Sequence, residues 1–308
     1  MLSKKDLISI ADLSSGEINE IFGLALKLKK GILKSSPLTK KTLCLIFQKP
    51  SNRTRVSFTV GMTQLGGHAV YLGPEEIKMG VRESTKDVAR VISRYADGIV
   101  ARTFKHKDII EIAGSASIPV INGLSNLLHP CQGLSDLFTI KEKARNSKII
   151  KVAYVGDGNN VLHSLMLACS KLGINLSVAT PKGYGPKKEI AKQAVSFAKK
   201  SKSKIEFFDK PGDAVNGADF VYTDVWASMG KEGEYERRKK IFKPFQLNSK
   251  LLNKTGKKSY AMHCLPAHRG DEITDQVMDS NESIVYDQAE NRLHVEKAIL
   301  VLLLGKRK

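Results

Sequence analysis

Apolar runs of strand length alternate with segments of helical periodicity along almost the whole of this 308-residue chain. Most of the runs are continuous stretches rich in Val, Ile and Leu, which is typical of strands buried on both faces of a parallel sheet. The pattern therefore predicts an α/β fold in which parallel sheets are covered by helices. The candidate strands are residues 42–47, 69–73, 98–103, 118–122, 150–156, 176–181, 204–209, 219–226, 260–266 and 283–287.

Helix starts can be placed from capping residues. Ser14 with Glu17 three residues later forms a capping-box pattern, and Ser84 with Asp87 is a similar pair. Each pair predicts a helix that begins at the residue after the serine. The first of these helices carries an apolar stripe made of Ile18, Ile21, Phe22 and Ala25.

The length of the chain is sufficient for two domains of ordinary size, each with its own core. A polar, charged stretch at residues 141–148 separates one series of strands from the next. We therefore expect two parallel-sheet lobes. In open sheets of this kind ligands bind beyond the carboxyl ends of the strands, so each junction between a strand and a polar turn is a candidate site.

Composition narrows the function classes. Lys and Arg number 50 against 31 Asp and Glu, a formal net charge of +19, which raises the possibility of a polyanionic partner. The excess is mostly lysine in surface-type runs, and the aromatic residues, 6% of the chain, do not interleave with these runs as base stacking requires. Solvated lysine faces are the favoured interpretation, with nucleic-acid binding as the alternative from another class.

Location and redox state also follow from composition. No stretch approaches the roughly 18 apolar residues of a membrane span, and the first residues lack a long apolar core and a cleavage site. A cytoplasmic protein without a membrane partner is expected. The four cysteines are scattered without a CxxC pair, which favours reduced thiols and no zinc site.

The nonapeptide FQKPSNRTR, residues 47–55, ends the first strand-like run with a cationic turn. Ser51 is a good N-cap, and the helix that follows offers unpaired backbone N–H groups at its positive end. Together with the guanidinium groups of Arg53 and Arg55, these donors favour binding of a phosphate. The alternative is a capped helix whose arginines only face solvent.

Two further junctions add cationic and polar groups. Arg102 stands at the end of a strand that reads as buried, where it either points into a cleft or reaches water. His129 and Gln132 stand just before a helix, where an imidazole and an amide could donate to a carbonyl or phosphate oxygen. The alternative for His129 is a loop cap.

The second half of the chain has polar junctions of a different kind. GDGNN, residues 156–160, lacks the third glycine and the later acidic residue of a dinucleotide site, so Asn159 and Asn160 suit a carboxylate better. Asp224 and Ser228 suit a substrate ammonium, or they only cap a turn. Cys264 ends another strand, and a structural buried thiol is its alternative role.

These junctions resemble the motifs of the aspartate/ornithine carbamoyltransferase family. S-x-R-T-R, an arginine after the third strand, and H-P-x-Q are similar to its carbamoyl phosphate motifs, while GDGNN, D-x-W-x-S-M-G and HCLP are similar to those of members that use ornithine. The resemblance covers nearly the whole chain. It implies a carbamoyl phosphate domain of residues 1–145 with a C-terminal helix, 289–308, packed on it, and an ornithine domain of residues 146–288.

The resemblance also implies site residues, with Arg102, His129 and Cys264 catalytic. Those for carbamoyl phosphate are Ser51, Asn52, Arg53, Thr54, Arg102, His129, Gln132, Cys264, Leu265 and Arg292. Those for ornithine are Asn160, Asp224, Ser228 and Met229. Lys78 stands where many members have a different polar residue, and for Arg55 a structural role is favoured over a phosphate contact.

The reaction implied by the resemblance is transfer of a carbamoyl group to the side-chain amine of L-ornithine, giving L-citrulline and phosphate. It needs no metal and no cofactor. Another amine acceptor, such as putrescine or N-acetylornithine, is the alternative within the same class. A homotrimer, or a multiple of trimers, is the assembly that the resemblance implies, and the two substrates are the expected small-molecule partners.

Overall fold

A computed structural model describes residues 2–32, 36–144, 149–227 and 232–305 of the chain. Contacts within the chain divide it into two compact units. Unit 1 comprises Met1–Ser135 and Asn291–Lys308, and unit 2 comprises Asp136–Glu290. Unit 1 is thus discontinuous in sequence, with unit 2 inserted into it. The exact domain limits expected from the sequence remain predictions.

Unit 1 is built on a four-stranded parallel sheet with strand order β2-β1-β3-β4. The strands are β1 (Thr42–Phe47), β2 (His68–Leu72), β3 (Gly98–Arg102) and β4 (Val120–Leu124). The helices of its first segment are a 3-10 turn (Ile10–Asp12), α1 (Ser15–Lys29), α2 (Asn52–Gln64), α3 (Pro74–Ile77), α4 (Thr85–Tyr95), α5 (His106–Ser115) and the start of α6 (Pro130–Ala144). The central strands β1 and β3 are buried almost throughout, as their continuous apolar sequences predict.

The predicted caps are confirmed. The side chains of Ser14 and Glu17 form the reciprocal capping box at the start of α1. Ser51 has an extended backbone and accepts from the backbone N–H of Thr54, so α2 begins at the SNRTR segment. Ser84 caps α4 in the same way, accepting from the N–H of Asp87. Local polar side chains thus fix where three helices of unit 1 begin.

The N-terminal segment extends the sheet of unit 1 beyond β4. The backbone N–H of Leu7 donates to Val120, and the backbone N–H of Asn122 donates to Leu7, both at 2.9 Å. The side chain of Leu7 is fully buried. This segment therefore satisfies backbone groups of a strand that would otherwise be an exposed edge.

Unit 2 is built on a five-stranded parallel sheet with strand order β7-β6-β5-β8-β9. The strands are β5 (Lys151–Val155), β6 (Asn175–Ala179), β7 (Ile205–Phe208), β8 (Phe220–Thr223) and β9 (Tyr260–His263). The helices after α6 are α7 (Asn160–Leu172), α8 (Lys188–Ser201), α9 (Pro211–Val215), α10 (Tyr235–Phe242), α11 (Ser249–Asn253), α12 (Asp275–Met278) and α13 (Val285–Leu304), with 3-10 turns at Glu232–Glu234 and Lys243–Phe245.

The predicted strand at residues 283–287 is wrong. Ser283 makes only an isolated bridge to Ala261 of β9, and α13 begins at Val285, where the backbone N–H of Gln288 donates to Ile284. A five-residue apolar run is too short to separate a buried strand from the first turn of a buried helix. The other nine predicted strands are present in the described residues, with ends shifted by a few residues.

Helix α13 passes from unit 2 into unit 1, and its segment from Asn291 onward contacts unit 1, as expected for the C-terminal helix. Lys297 of this segment donates to the side chain of Gln64 at 2.8 Å, and its stem lies against Gly61 of α2. Among the described residues, no helix combines the length and the apolar character that crossing a membrane requires.

Replacing Leu7 with Ala should destabilise unit 1. The substitution removes a fully buried side chain next to β4, and such changes cost about 2 to 5 kcal/mol. Urea denaturation followed by circular dichroism measures the effect. Leu26→Ala, at a position 38% exposed on α1, is the matched control and should cost much less. Equal effects of the two substitutions would show that the N-terminal segment does not belong to the core.

Candidate active site

In unit 1, the strand order reverses direction between β1 and β3, which lie side by side while the chain leaves them toward opposite edges of the sheet. Phe47 at the end of β1 is in register with Arg102 at the end of β3. The carboxyl ends of strands at such a switch point are where open α/β sheets bind ligands. The SNRTR turn and Arg102 therefore meet at the position that the topology favours for a ligand.

The first turn of α2 is tied to the C-terminal helix. Thr54 is fully buried, its hydroxyl lies 3.2 Å from that of Ser51, and it accepts from the Nη2 of Arg292 at 2.9 Å. Arg292 also donates to the carboxylate of Glu296, at 2.9 Å, one turn further along α13. A guanidinium from the far end of the sequence is thereby fixed at the helix N-terminus, as the late arginine of the resemblance implies.

Arg102 is a poorly compensated cation of this cluster. Arg102 is 8% exposed, and its Nε is buried without a hydrogen-bond partner among the described residues. Burial, together with the charges of Arg292 and Arg53, lowers the pKa of Arg102 to about 10. Burial in a positive field is unfavourable unless an anion is bound, so this end of unit 1 is built for a negatively charged ligand.

His129 lies buried in the same cluster, directly before α6. Burial, reinforced by the charges of Arg292 and Arg102, lowers the pKa of His129 well below its ordinary value. The imidazole is therefore neutral at neutral pH. It can donate one N–H to a carbonyl oxygen without adding a further positive charge. Gln132, in the first turn of α6, is also buried, while Asn52 at the start of α2 is exposed.

In unit 2 the corresponding switch point lies between β5 and β8. Asn159, which follows β5, caps α7 with its side-chain oxygen and donates from its side-chain nitrogen to Asp224 at 2.7 Å. Asp224 follows β8 and is buried. Asn160 is the first residue of α7. The two polar turns predicted from the sequence are therefore brought together here, with a carboxylate at their centre.

Gly158 of the GDGNN turn is required by packing. A Cβ built on Gly158 would lie 2.2 Å from the backbone carbon of Gly185, so no other residue fits without moving the loop. The backbone N–H of Gly158 also donates to Tyr184 at 2.8 Å.

The HCLP segment completes the polar group of unit 2. The thiol of Cys264 donates to the Oδ1 of Asp224 at 3.0 Å. Burial, followed by the charge of Asp224, raises the pKa of the Cys264 thiol well above its ordinary value. His263 is held by Glu272 at 3.0 Å through Nε2 and accepts at Nδ1 from the backbone N–H of Leu265. Because its pKa is raised, Cys264 is present at neutral pH as the thiol rather than the thiolate.

Asp224, His263 and Cys264 are also the residues that could hold a metal ion, since their donor atoms lie within 4.8 Å of one another and all are buried. Both ring nitrogens of His263 already have hydrogen-bond partners. A metal would therefore have to displace either the Glu272 or the Leu265 contact.

Arg238 of α10 contacts both polar turns of unit 2, the turn after β5 and the turn after β8. It is 3% exposed, lies 3.1 Å from the carboxylate of Asp157 and donates to the backbone carbonyl of Trp226 at 2.5 Å. Its guanidinium also stacks on the ring of Tyr184, with 4.8 Å to the ring centroid. Asp157 and Trp226 each lie two residues from a member of the Asn159–Asp224 pair, so Arg238 fixes the backbone that carries this pair.

Two of the predicted ornithine residues, Ser228 and Met229, lie outside the described residues. Leu265, next to Cys264, lies in unit 2. Roles for Cys264 and Leu265 toward carbamoyl phosphate remain predictions. Arg55 is exposed, with its guanidinium 3.8 Å from the centroid of the Tyr71 ring, a packing contact that agrees with a structural role.

Sequence reasoning missed four contributors to these clusters. Glu296 could have been found from its position four residues after Arg292, the spacing of helix ion pairs. Asn159 was predicted to bind a carboxylate from a helix start, but not to be the partner of Asp224. Arg238 gave no usable signal, because it stands in a charged segment where the neighbouring Arg237 is exposed. Glu272 gave none either, since its contact with His263 depends on the tertiary fold.

The chain thus has two parallel-sheet units. Unit 1 carries a cationic cluster at its switch point, and unit 2 carries a carboxylate and amide pair at its own. This is the arrangement of an enzyme with a separate polar site in each unit. Comparison with known proteins agrees. The family model for the carbamoyl-P binding domain of aspartate/ornithine carbamoyltransferases matches residues 5–142. The model for the Asp/Orn binding domain of the same family matches residues 148–303. The chain belongs to the aspartate/ornithine carbamoyltransferase family.

Individual relatives match over nearly their full length. The chain is 52% identical to an ornithine carbamoyltransferase of Pyrococcus horikoshii, over 99% of this chain and 97% of that relative. It is 51% identical to an anabolic ornithine carbamoyltransferase of Pyrococcus furiosus, over 99% and 98%. A solved structure of ornithine carbamoyltransferase from Pyrococcus furiosus superposes with a TM-score of 0.95 at 51% identity, covering 98% of each chain.

Replacing Arg238 with Ala should destabilise unit 2 strongly. It leaves the buried carboxylate of Asp157 without its cation, and breaking a buried ion pair from one side costs about 3 to 5 kcal/mol. Thermal and urea denaturation measure the loss. Arg237→Ala, at the neighbouring exposed position on the same helix, is the control and should have little effect. A similar small effect for both would mean that the clamp contributes nothing.

Proposed function

We propose that the chain transfers the carbamoyl group of carbamoyl phosphate to the side-chain amine of L-ornithine, giving L-citrulline and phosphate. The observation that carries the proposal is the cationic cluster at the carboxyl ends of β1 and β3, in which the buried Nε of Arg102 has no hydrogen-bond partner among the described residues, an arrangement that suits a small, highly charged anion. Family membership narrows that anion to carbamoyl phosphate, and the names of the relatives point to ornithine as the acceptor.

Unit 1 supplies the carbamoyl phosphate site. The phosphate is bound by Ser51, Asn52, Arg53 and Thr54 at the N-terminus of α2, with Arg292 completing the charge and Gln132 adding an amide donor. Arg102 and neutral His129 donate to the carbonyl oxygen. As the amine attacks, that oxygen becomes negative in the tetrahedral intermediate, and donors already fixed in position stabilise it without reorganisation. Cys264 and Leu265 belong to the same proposed set.

Unit 2 supplies the ornithine site. Asn160, Asp224, Ser228 and the backbone of Met229 are proposed to bind the amino-acid end of ornithine, with Asp224 and Cys264 near the reactive amine. An acid with an amide on one side and a thiol donor on the other is suited to an ammonium group. The clamp by Arg238 keeps the turn that carries Asp224 in place.

The attacking amine must lose a proton, because alkylamines have pKa values of about 10 and are charged at neutral pH. Cys264 is a poor acceptor, since the raised pKa of its thiol keeps it protonated and donating to Asp224. Two acceptors remain: the carboxylate of Asp224 and the departing phosphate. Electrostatic stabilisation and positioning supply the rest of the catalysis, with positioning contributing up to about 7 to 11 kcal/mol in favourable cases.

Cytoplasmic location and a homotrimer belong to the same proposal. The four cysteines are free and buried, as is usual in a reducing compartment. Apolar side chains of unit 1 such as Val56, Val70 and Tyr95 are 58%, 41% and 77% exposed, which is consistent with a surface covered by another subunit.

The choice of acceptor tests the proposal directly. Formation of carbamoylated product is measured with carbamoyl phosphate and, in turn, ornithine, putrescine and N-acetylornithine. Ornithine should be preferred by more than about a hundredfold, because a site that pairs the α-carboxylate and α-amine rejects acceptors that leave its polar groups unpaired. Comparable use of putrescine would overturn ornithine as the substrate, and no product with any amine would overturn the transferase itself.

Replacing Arg102 with Met should lower kcat by a factor on the order of 10² to 10³, the usual cost of losing one donor to a developing oxyanion. The KM for ornithine should change little, because the ornithine residues are in unit 2. Steady-state citrulline formation measures both constants. Arg94→Met, an exposed arginine near the end of α4, is the control. Near-normal turnover in Arg102→Met would remove the polarising role.

A further inference from the structure

Lys49 is a buried amine that the proposed reaction does not use. It stands two residues after β1 and is 7% exposed. Its Nζ lies 5.3 Å from the ring centroid of Phe104 and makes no hydrogen bond or ion pair with any described residue. A buried ammonium without a counter-charge is unfavourable, so this side chain has a strong tendency to be neutral or to meet an anion.

The groups that face Lys49 make this tendency stronger. Arg102 adds positive charge, the imidazole of His129 is neutral but within electrostatic range, and Phe104 offers only a ring. Burial, followed by the charge of Arg102, lowers the pKa of Lys49 to about 8. A desolvated lysine beside another cation is the usual form of a nucleophilic lysine, since a useful fraction of its amine is unprotonated near neutral pH.

We propose that Lys49 is a second carbamoyl acceptor, modified by carbamoyl phosphate bound to unit 1 when ornithine is absent. The inference rests on the carbamoyl phosphate site proposed above. The neutral Nζ attacks the carbonyl carbon and forms an N–C bond. The C–O bond to phosphate breaks, its electron pair leaves with the phosphate oxygen, and one amine proton passes to the released phosphate. The product is a ureido side chain at residue 49.

The modification converts a cation of the cluster into a larger neutral group. Carbamoyl phosphate binding to the modified chain should be weakened, because one of the positive charges around Arg102 is lost and the new group occupies part of the same space. The donor therefore inactivates the enzyme slowly whenever no amine acceptor consumes it. Ornithine protects by directing the carbamoyl group to its own amine.

Peptide mass spectrometry of the whole protein tests the inference. The protein is incubated with carbamoyl phosphate alone, with carbamoyl phosphate plus excess inorganic phosphate, or with cyanate, which carbamoylates lysines without needing a phosphate site. Lys27, exposed on α1, is the reference lysine. With carbamoyl phosphate at about pH 7.5, Lys49 should be labelled more than tenfold faster than Lys27, since one pKa unit changes the neutral amine fraction about tenfold.

Three features of the labelling distinguish a bound donor from free cyanate. Labelling of Lys49 should saturate with carbamoyl phosphate concentration, should fall in excess inorganic phosphate, and should rise with pH to a plateau above about pH 9, as the amine of a lysine with a lowered pKa loses its proton. Equal labelling of Lys49 and Lys27, or labelling that rises linearly with donor and ignores phosphate, would contradict the inference.

Activity supplies an independent readout. After incubation with carbamoyl phosphate, the native chain should lose citrulline-forming activity in proportion to Lys49 labelling. Lys49→Arg keeps the charge without the nucleophile, so it should retain its own starting activity under the same treatment. Citrulline formation is also measured on protein that was not incubated with carbamoyl phosphate. This measurement separates the role of Lys49 from the proposed transferase function. Activity without labelling overturns only the role of Lys49, whereas absence of citrulline formation overturns the proposed function and this inference together.

Discussion

The hydrogen bond from Arg292 to the hydroxyl of Thr54 organises the cationic end of unit 1. It joins α13 to the first turn of α2 and brings two stretches of sequence 238 residues apart into contact. Glu296 compensates only part of the resulting charge, since it pairs with Arg292 and leaves Arg102 with its Nε unpartnered among the described residues. The cluster therefore carries an excess of positive charge, which favours the binding of an anion.

Both units place their chemistry by the same rule of topology. A reversal of strand order brings the carboxyl ends of two adjacent strands together, β1 with β3 in one unit and β5 with β8 in the other. The residues that follow these strands then converge whatever their identity. In unit 1 they are cations and helix-start donors, and in unit 2 they are an amide and an acid, so the same topology produces two polar clusters of different charge.

Much of this arrangement was predictable from the sequence because it depends on local patterns. Continuous apolar runs gave nine of the strands in the described residues, and the serines before three helices gave their starts. The run at 283–287 was misread because apolar character alone does not separate a buried strand from a helix turn. Arg238 could not be predicted, since its burial depends on its ion pair with Asp157, which lies far from it in sequence. The lowered pKa of Lys49 likewise depends on tertiary surroundings.

The insertion of unit 2 into unit 1 has a consequence for biosynthesis. Chains fold from the N-terminus as they leave the ribosome. The first 135 residues of unit 1 emerge early with Arg53 and Arg102, yet Arg292 follows only after all of unit 2 has been translated. A nascent chain therefore lacks the contact of Arg292 with Thr54 for most of its synthesis. The cationic cluster of unit 1 is completed only when this last helix has been translated.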